Sequence, residues 1–93
     1  MIPKSVLFYW SKGAGTRRRI LLIIKNANEK NEPCFLNVMA KRLKLTHVAV
    51  KKHIDLLVEE GYVEPINPSG KPVYLRLSDS GKGIIKELGK KSN

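Results

Sequence analysis

Ala40-Lys41-Arg42-Leu43-Lys44-Leu45-Thr46-His47-Val48-Ala49-Val50-Lys51-Lys52-His53-Ile54-Asp55-Leu56-Leu57-Val58-Glu59-Glu60-Gly61-Tyr62-Val63 decides how the rest of this 93-residue chain is read. Thr46 has the hydroxyl of a helix N-cap, and Gly61 suits the left-handed position that ends a helix, so the spacing predicts a helix from Thr46 to Glu60. At about 100° per residue, with Val50 at zero, Ile54 falls near 40° and Leu57 near 340°, which makes one core stripe. Val48, Lys51, Lys52, Asp55 and Glu59 fall between about 100° and 200°, on an open face. His47 and His53 flank the stripe about 120° apart. Upstream, Asn37 is the expected cap of a shorter helix, Val38 to Leu43, and Lys44-Leu45 is the turn between the two.

Working outward, Ile20, Ile23, Ile24 and Ala27 recur at helical spacing behind Thr16, the expected cap of a first helix. Leu21 and Leu22 widen its apolar face, as in a helix buried on two sides. Asn26, Asn28, Asn31 and Pro33 end it near position 30. Cys34-Phe35-Leu36 reads as a one-bridge strand. Downstream, Tyr62–Ile66 and the alternating Val73-Tyr74-Leu75-Arg76-Leu77 flank the turn-forming Asn67-Pro68-Ser69-Gly70-Lys71-Pro72, so a hairpin is expected. Ser78 caps a last helix with Ile84, Ile85 and Leu88 on its apolar side. Three segments follow: an apolar N-terminal arm over residues 1–15, one domain over residues 16–89, and a basic tail over residues 90–93. The arm's Val6-Leu7-Phe8-Tyr9-Trp10 must pack on its own domain or on a partner.

Two helices joined by a tight turn, the second with a basic open face, then a hairpin, form a winged helix-turn-helix. The fold class is α+β, with helices packed on a small antiparallel sheet of two to three strands. The stretch 40–63 resembles small prokaryotic winged-helix repressors of the arsenical-repressor and multiple-antibiotic-resistance types. Their pattern runs Ala, two polar residues, Leu, any residue, Leu, Ser or Thr, Val four later, and a Glu-Glu-Gly ending. Tyr74-Leu75-Arg76-Leu77-Ser78-Asp79-Ser80-Gly81-Lys82 resembles their wing strand and the helix start after it. The resemblance implies a DNA-binding transcriptional regulator.

Charge points the same way. The formal net charge is +10, from 18 basic and 8 acidic residues. The excess is segregated: residues 1–54 hold 12 bases and only two acids, Glu29 and Glu32, whereas the remainder holds six of each. Such a surface attracts polyanions by counterion release. No apolar run reaches the ~20 residues of a membrane span. One cysteine, Cys34, excludes an internal disulfide framework and fits a reducing compartment, so a cytoplasmic, nucleoid-associated protein is expected. Neither histidine has an orienting acid beside a nucleophile, and no Gly-rich phosphate loop is present. Hence no enzyme, cofactor or metal is expected.

On this reading Thr46, His47, Val48, Lys51 and Lys52 occupy the part of a recognition helix that reaches base edges, with Val48 suited to a thymine methyl. Lys41, Arg42 and Lys44 suit phosphates beside the turn. Lys71 and Arg76 suit the wing, and Arg17, Arg18 and Arg19 the phosphates flanking the groove. The expected activity is sequence-specific double-stranded DNA binding by a homodimer, formed through the arm, the first helix and the last helix. The alternative is a non-specific chromatin-organising protein. A module for RNA or protein would reuse the same fold.

Overall fold

The computed structural model describes residues 2–91, with side chains through residue 89. Of the two places expected for the arm, its own domain or a partner, Leu7 and Phe8 take the first. The Pro3 carbonyl accepts from the backbone N–H of Val6 and of Leu7, both at 3.1 Å, and leads into a π-helix, Val6–Trp10. This N-terminal helix folds back along the chain's own first long helix. Leu7 and Phe8 are fully buried, and the Phe8 ring meets Tyr62 edge-on at 5.2 Å. Each such side chain stabilises by roughly 1.5–3 kcal/mol on burial. Leu7 and Phe8 are thus part of the domain's own core.

α1 (Ala14–Glu29) starts two residues before the expected cap. Ser11 O accepts from Ala14 N, and Gly13 turns the chain at φ 92°, a conformation cheap only for glycine. Thr16 therefore lies inside the first turn and caps nothing. Because the N-terminal helix covers a second side of α1, Leu21 joins Ile20 and Ile24 as fully buried, while Leu22 stays exposed.

α2 (Leu36–Leu43) also begins earlier than expected. Its N-cap is Phe35, which has no capping side chain, and Asn37 is an exposed helical residue. Two anchors fix the chain direction there: Cys34 O accepts from Leu75 N at 2.8 Å, and Phe35 meets Tyr74 edge-on. The expected strand at residues 34–36 reduces to that one backbone bond. α3 (His47–Glu59) follows expectation, with Thr46 Oγ1 accepting from Ala49 N at 3.1 Å and Gly61 at φ 85° beyond its end.

The sheet has two antiparallel strands, β1 (Val63–Pro65) and β2 (Leu75–Leu77), with Glu64 opposite Arg76. Both are shorter than the alternating pattern implied. Pro65, Pro68 and Pro72 lack the N–H a longer ladder needs, and Asn67 substitutes for it. Asn67 Oδ1 accepts from Tyr74 N at 2.7 Å, and its Nδ2 donates to Pro72 O at 3.2 Å. On the sheet's other side Asn28 of α1 acts as a surrogate strand: its Oδ1 accepts from Leu77 N and its Nδ2 donates to Leu75 O.

Ser78 caps α4 (Asp79–Lys91) through Gly81 N. Of the expected basic tail, residues 90 and 91 form the end of that helix, and residues 92 and 93 lie outside the described residues. One core joins Leu7, Phe8, Ile20, Leu21, Ile24, Met39, Val50, Leu57, Val63 and Ile84.

Candidate nucleic-acid interface

The turn between α2 and α3 is closed by backbone bonds. Leu45 N donates to Ala40 O and Lys44 N to Lys41 O, the pairing of a Schellman motif, with Lys44 in the left-handed region at φ 56°. Met39, Ala40 and Leu43 face Val50, Ile54 and Leu57 across the two helices, and this packing sets α3 with its polar face outward. Thr46, His47, Val48, Lys51 and Lys52 are all exposed on that face. Val48 is 67% exposed, an apolar side chain that contributes nothing to the core.

Lys51 Nζ lies 2.7 Å from Asp55 Oδ2, one helical turn along α3. Both line a groove between α3 and the wing, about 790 Å³ in volume, with Lys71 on its far wall. Ile54, Val58, Pro72 and Tyr74 supply its apolar floor. The structure thus brings Lys51 and Lys71 to one groove. Lys41, Arg42 and Lys44 are exposed around the turn. Among the described residues, Lys41, Arg42, Lys44, Lys52 and Lys71 enter no ion pair, so their charges are left for solvent or a ligand.

Arg76 does not join this set. It pairs with Glu64 across the strands at 3.5 Å and lines clefts with Asp79, Lys82, Asn31 and Glu32, outside the α3–wing groove.

The three arginines of α1 separate. Arg17 is buried, at 6% exposure. Its Nε donates to Leu7 O at 2.7 Å, and its guanidinium also reaches Ser11 Oγ and His53. Arg18 donates to Phe8 O. Both hold the N-terminal helix, because its irregular end leaves carbonyls that a long cationic side chain can reach. That use takes Arg17 out of reach of phosphate. Of the three, Arg19 alone is exposed. Nothing in the run Arg17-Arg18-Arg19 distinguishes its members; the difference follows from a helical rotation of about 100° per residue against a segment packed on one side.

Sequence reasoning also missed Asn67, although an Asn opening a Pro-Ser-Gly turn is a recognisable signal for such bracing.

Burial pushes the Cys34 thiol up to about 11, against a smaller opposite pull from Arg42, which marks an inert core thiol. Among the described residues no three metal-ligating side chains cluster. No described helix is long and apolar enough to cross a membrane.

No family model and no curated protein matches this chain. Solved structures do. A variant of MarR from E. coli, complexed with operator DNA, superposes with a TM-score of 0.69 at 22% identity, over 82% of this chain and 53% of that one. A protein from Archaeoglobus fulgidus gives 0.70 at 22% identity, over 80% of both chains. The adhesin competence repressor AdcR from Streptococcus pyogenes gives 0.64 at 23% identity, over 78% and 52%. The fold is a MarR-type winged helix. This winged helix spans about half the length of the MarR and AdcR chains. Within that fold, the groove lies between the second helix of the helix-turn-helix, α3, and the β1–β2 wing.

Proposed function

We propose that this chain is a sequence-specific double-stranded DNA-binding regulator that acts as a homodimer, with α3 in the major groove. The observation that carries the reading is the outer face of α3, where Val48 stands exposed between cations and makes no contact that stability requires. An α-helix fits the major groove, lysine donates to guanine O6 and N7, and an apolar tip meets a thymine methyl. Lys41, Arg42 and Lys44 at the turn serve phosphates, and Lys71 brings the wing to the adjoining backbone. His47 and Thr46 complete the base-reading edge. MarR, bound to operator DNA in its structure, supports this use of the fold. The reading is of a binding protein rather than a catalyst, acting in the cytoplasm at the nucleoid, with no resident metal or cofactor and no assigned small-molecule effector.

The test is selection of a preferred site from random duplexes, followed by competition with random-sequence DNA. A regulator retains its site against a large excess, with specific binding typically ~10³-fold or more tighter than non-specific binding. A flat competition curve favours the chromatin-organising alternative, and retention of RNA alone favours a different module.

The dimer rests on a smaller face than the sequence implied. Leu7, Phe8, Leu21 and Ile84 are spent on the chain's own core. Trp10, at 81% exposure, remains uncovered, with Val6 and Leu22 also exposed. Trp10 and Tyr9 line a cleft with Lys4 and Glu87 of α4, where the N-terminal segment meets α4. A two-fold contact there would present two recognition helices ~34 Å apart to one side of a duplex. Sedimentation at micromolar concentration is expected to give twice the chain mass, and Trp10→Ser to weaken the dimer. A monomeric parent would rule the dimer out. Deletion of residues 1–12 is unsuitable, because it removes Leu7 and Phe8 from the core.

A further inference from the structure

Two polar contacts tie the recognition helix to the segment before it: Ile2 N donates to Glu60 Oε1 at 2.9 Å at the C-cap of α3, and Arg17 meets His53 in its middle. His53 sits half-buried in the middle of α3, and its Nδ1 lies 3.3 Å from an Arg17 guanidinium nitrogen. Its ring also packs against the turn before α1, so close that a methyl on Gly13 would meet ring carbon Cε1 at 2.8 Å. The same guanidinium grips Leu7 O and Ser11 Oγ. Arg17 therefore joins three parts: the N-terminal helix, α1 and, through His53, the helix proposed to read DNA. Arginine has only donors, so the contact requires His53 Nδ1 to accept, which means a neutral imidazole.

We propose that His53 and Arg17 are a positioning pair for α3 whose hold is released by acid: a proton on His53 places two cations in contact and loosens the helix from the N-terminal segment. The inference rests on the DNA-binding reading only for its effect on affinity.

Among the described residues no acidic side chain acts on the ring to favour the added proton. The turn packed against the ring contributes uncharged Gly13, with Lys12 exposed beside it, and α1 contributes Arg17. One turn away on α3 itself stand Ala49, Val50, Leu56 and Leu57, all uncharged. Among the described residues Arg17 is the only charge acting on the ring. Burial first, and Arg17 second, hold His53 below the usual histidine value of 6.5. The unfolded chain therefore binds this proton more readily than the folded one. The contribution is complete above about pH 6.5 and is lost as pH falls from there through the lower folded value.

The experiment compares the parent, His47→Gln and His53→Asn, each melted without DNA between pH 7.5 and 5. Asparagine keeps an oxygen near the place of Nδ1 and cannot gain a proton there. The parent and His47→Gln should lose several degrees of Tm across the range, and His53→Asn should lose markedly less. Equal pH dependence in His53→Asn and the parent would overturn the proposal. Proton NMR titration of His53 in the parent gives a second measurement, independent of how well the variant folds. A value at or above 6.5 would also overturn it.

DNA affinity is then measured in the His47→Gln background, which removes the exposed histidine of α3. Affinity should fall with pH in step with Tm, and should not fall when His53→Asn is added. An affinity indifferent to pH while Tm falls would overturn the link to α3. Failure of the parent itself to bind DNA at any pH would overturn the DNA-binding reading and leave the melting result standing.

Discussion

Phe8→Ala is expected to destabilise the domain by about 3–5 kcal/mol, the range for deleting a fully buried aromatic side chain. Phe8 is 0% exposed and its ring meets Tyr62, which itself follows the glycine that ends α3. The cavity would lie between the N-terminal helix and the α3–β1 junction, with Leu7 and Leu21 among the surrounding core residues. Small domains hold only about 5–15 kcal/mol in total, so the variant should be close to half-unfolded at moderate urea. Urea unfolding followed by circular dichroism measures it. A loss below about 1 kcal/mol would mean that the N-terminal helix is not part of the core in solution. Trp10→Ala, two residues away and 81% exposed, should change stability by no more than about 0.5 kcal/mol in the monomer.

Affinity of the proposed homodimer for a duplex is expected to fall roughly 3 × 10⁵-fold between about 50 and 200 mM salt, a log–log slope near −9 if Lys41, Arg42, Lys44, Lys52 and Lys71 of both protomers each neutralise one phosphate, about ten in all. Lys51 is left out of that sum because Asp55 already partners it at 2.7 Å. Arg17 is left out because it is buried, and Arg76 because Glu64 matches it. Fluorescence anisotropy with a labelled duplex across a salt series gives the slope. Lys52→Ala, which removes one contact from each protomer, should make it shallower by about 1.8. A slope near zero would reject an electrostatic docking face altogether.

The region between Ala40 and Gly61 was legible because two local rules agreed there. The 3.6-residue period fixed which side of α3 is buried, and Thr46 and Gly61 fixed where it starts and stops. Ser78 marked the start of α4 in the same way, whereas the starts of α1 and α2 differ from expectation for a shared reason. A hydroxyl or amide was sought at residues 16 and 37, whereas α1 starts from a glycine turn and α2 from a segment anchored on β2 through Cys34 and Phe35. Long-range anchors of that kind leave no local signature. The candidate site was legible as to its face but not as to its members. Residue type identifies a cation, but whether that cation is free depends on partners distant in sequence. Arg76 meets Glu64 twelve positions away, and Arg17 meets the carbonyl of Leu7 only because residues 6–10 fold back.

Lys44 has a further consequence. Its backbone sits at φ 56° and ψ 43°, where a side chain costs roughly 1–2 kcal/mol and glycine almost nothing. The chain thus places a long cation where conformation alone would select a residue with no side chain. Repeated rounds of mutation and screening for heat resistance alone should drift toward glycine at position 44, and toward asparagine as second choice. Rounds that screen for nucleic-acid retention should hold the lysine. The residue recovered at that one position would report which pressure, endurance or attraction, shaped the turn.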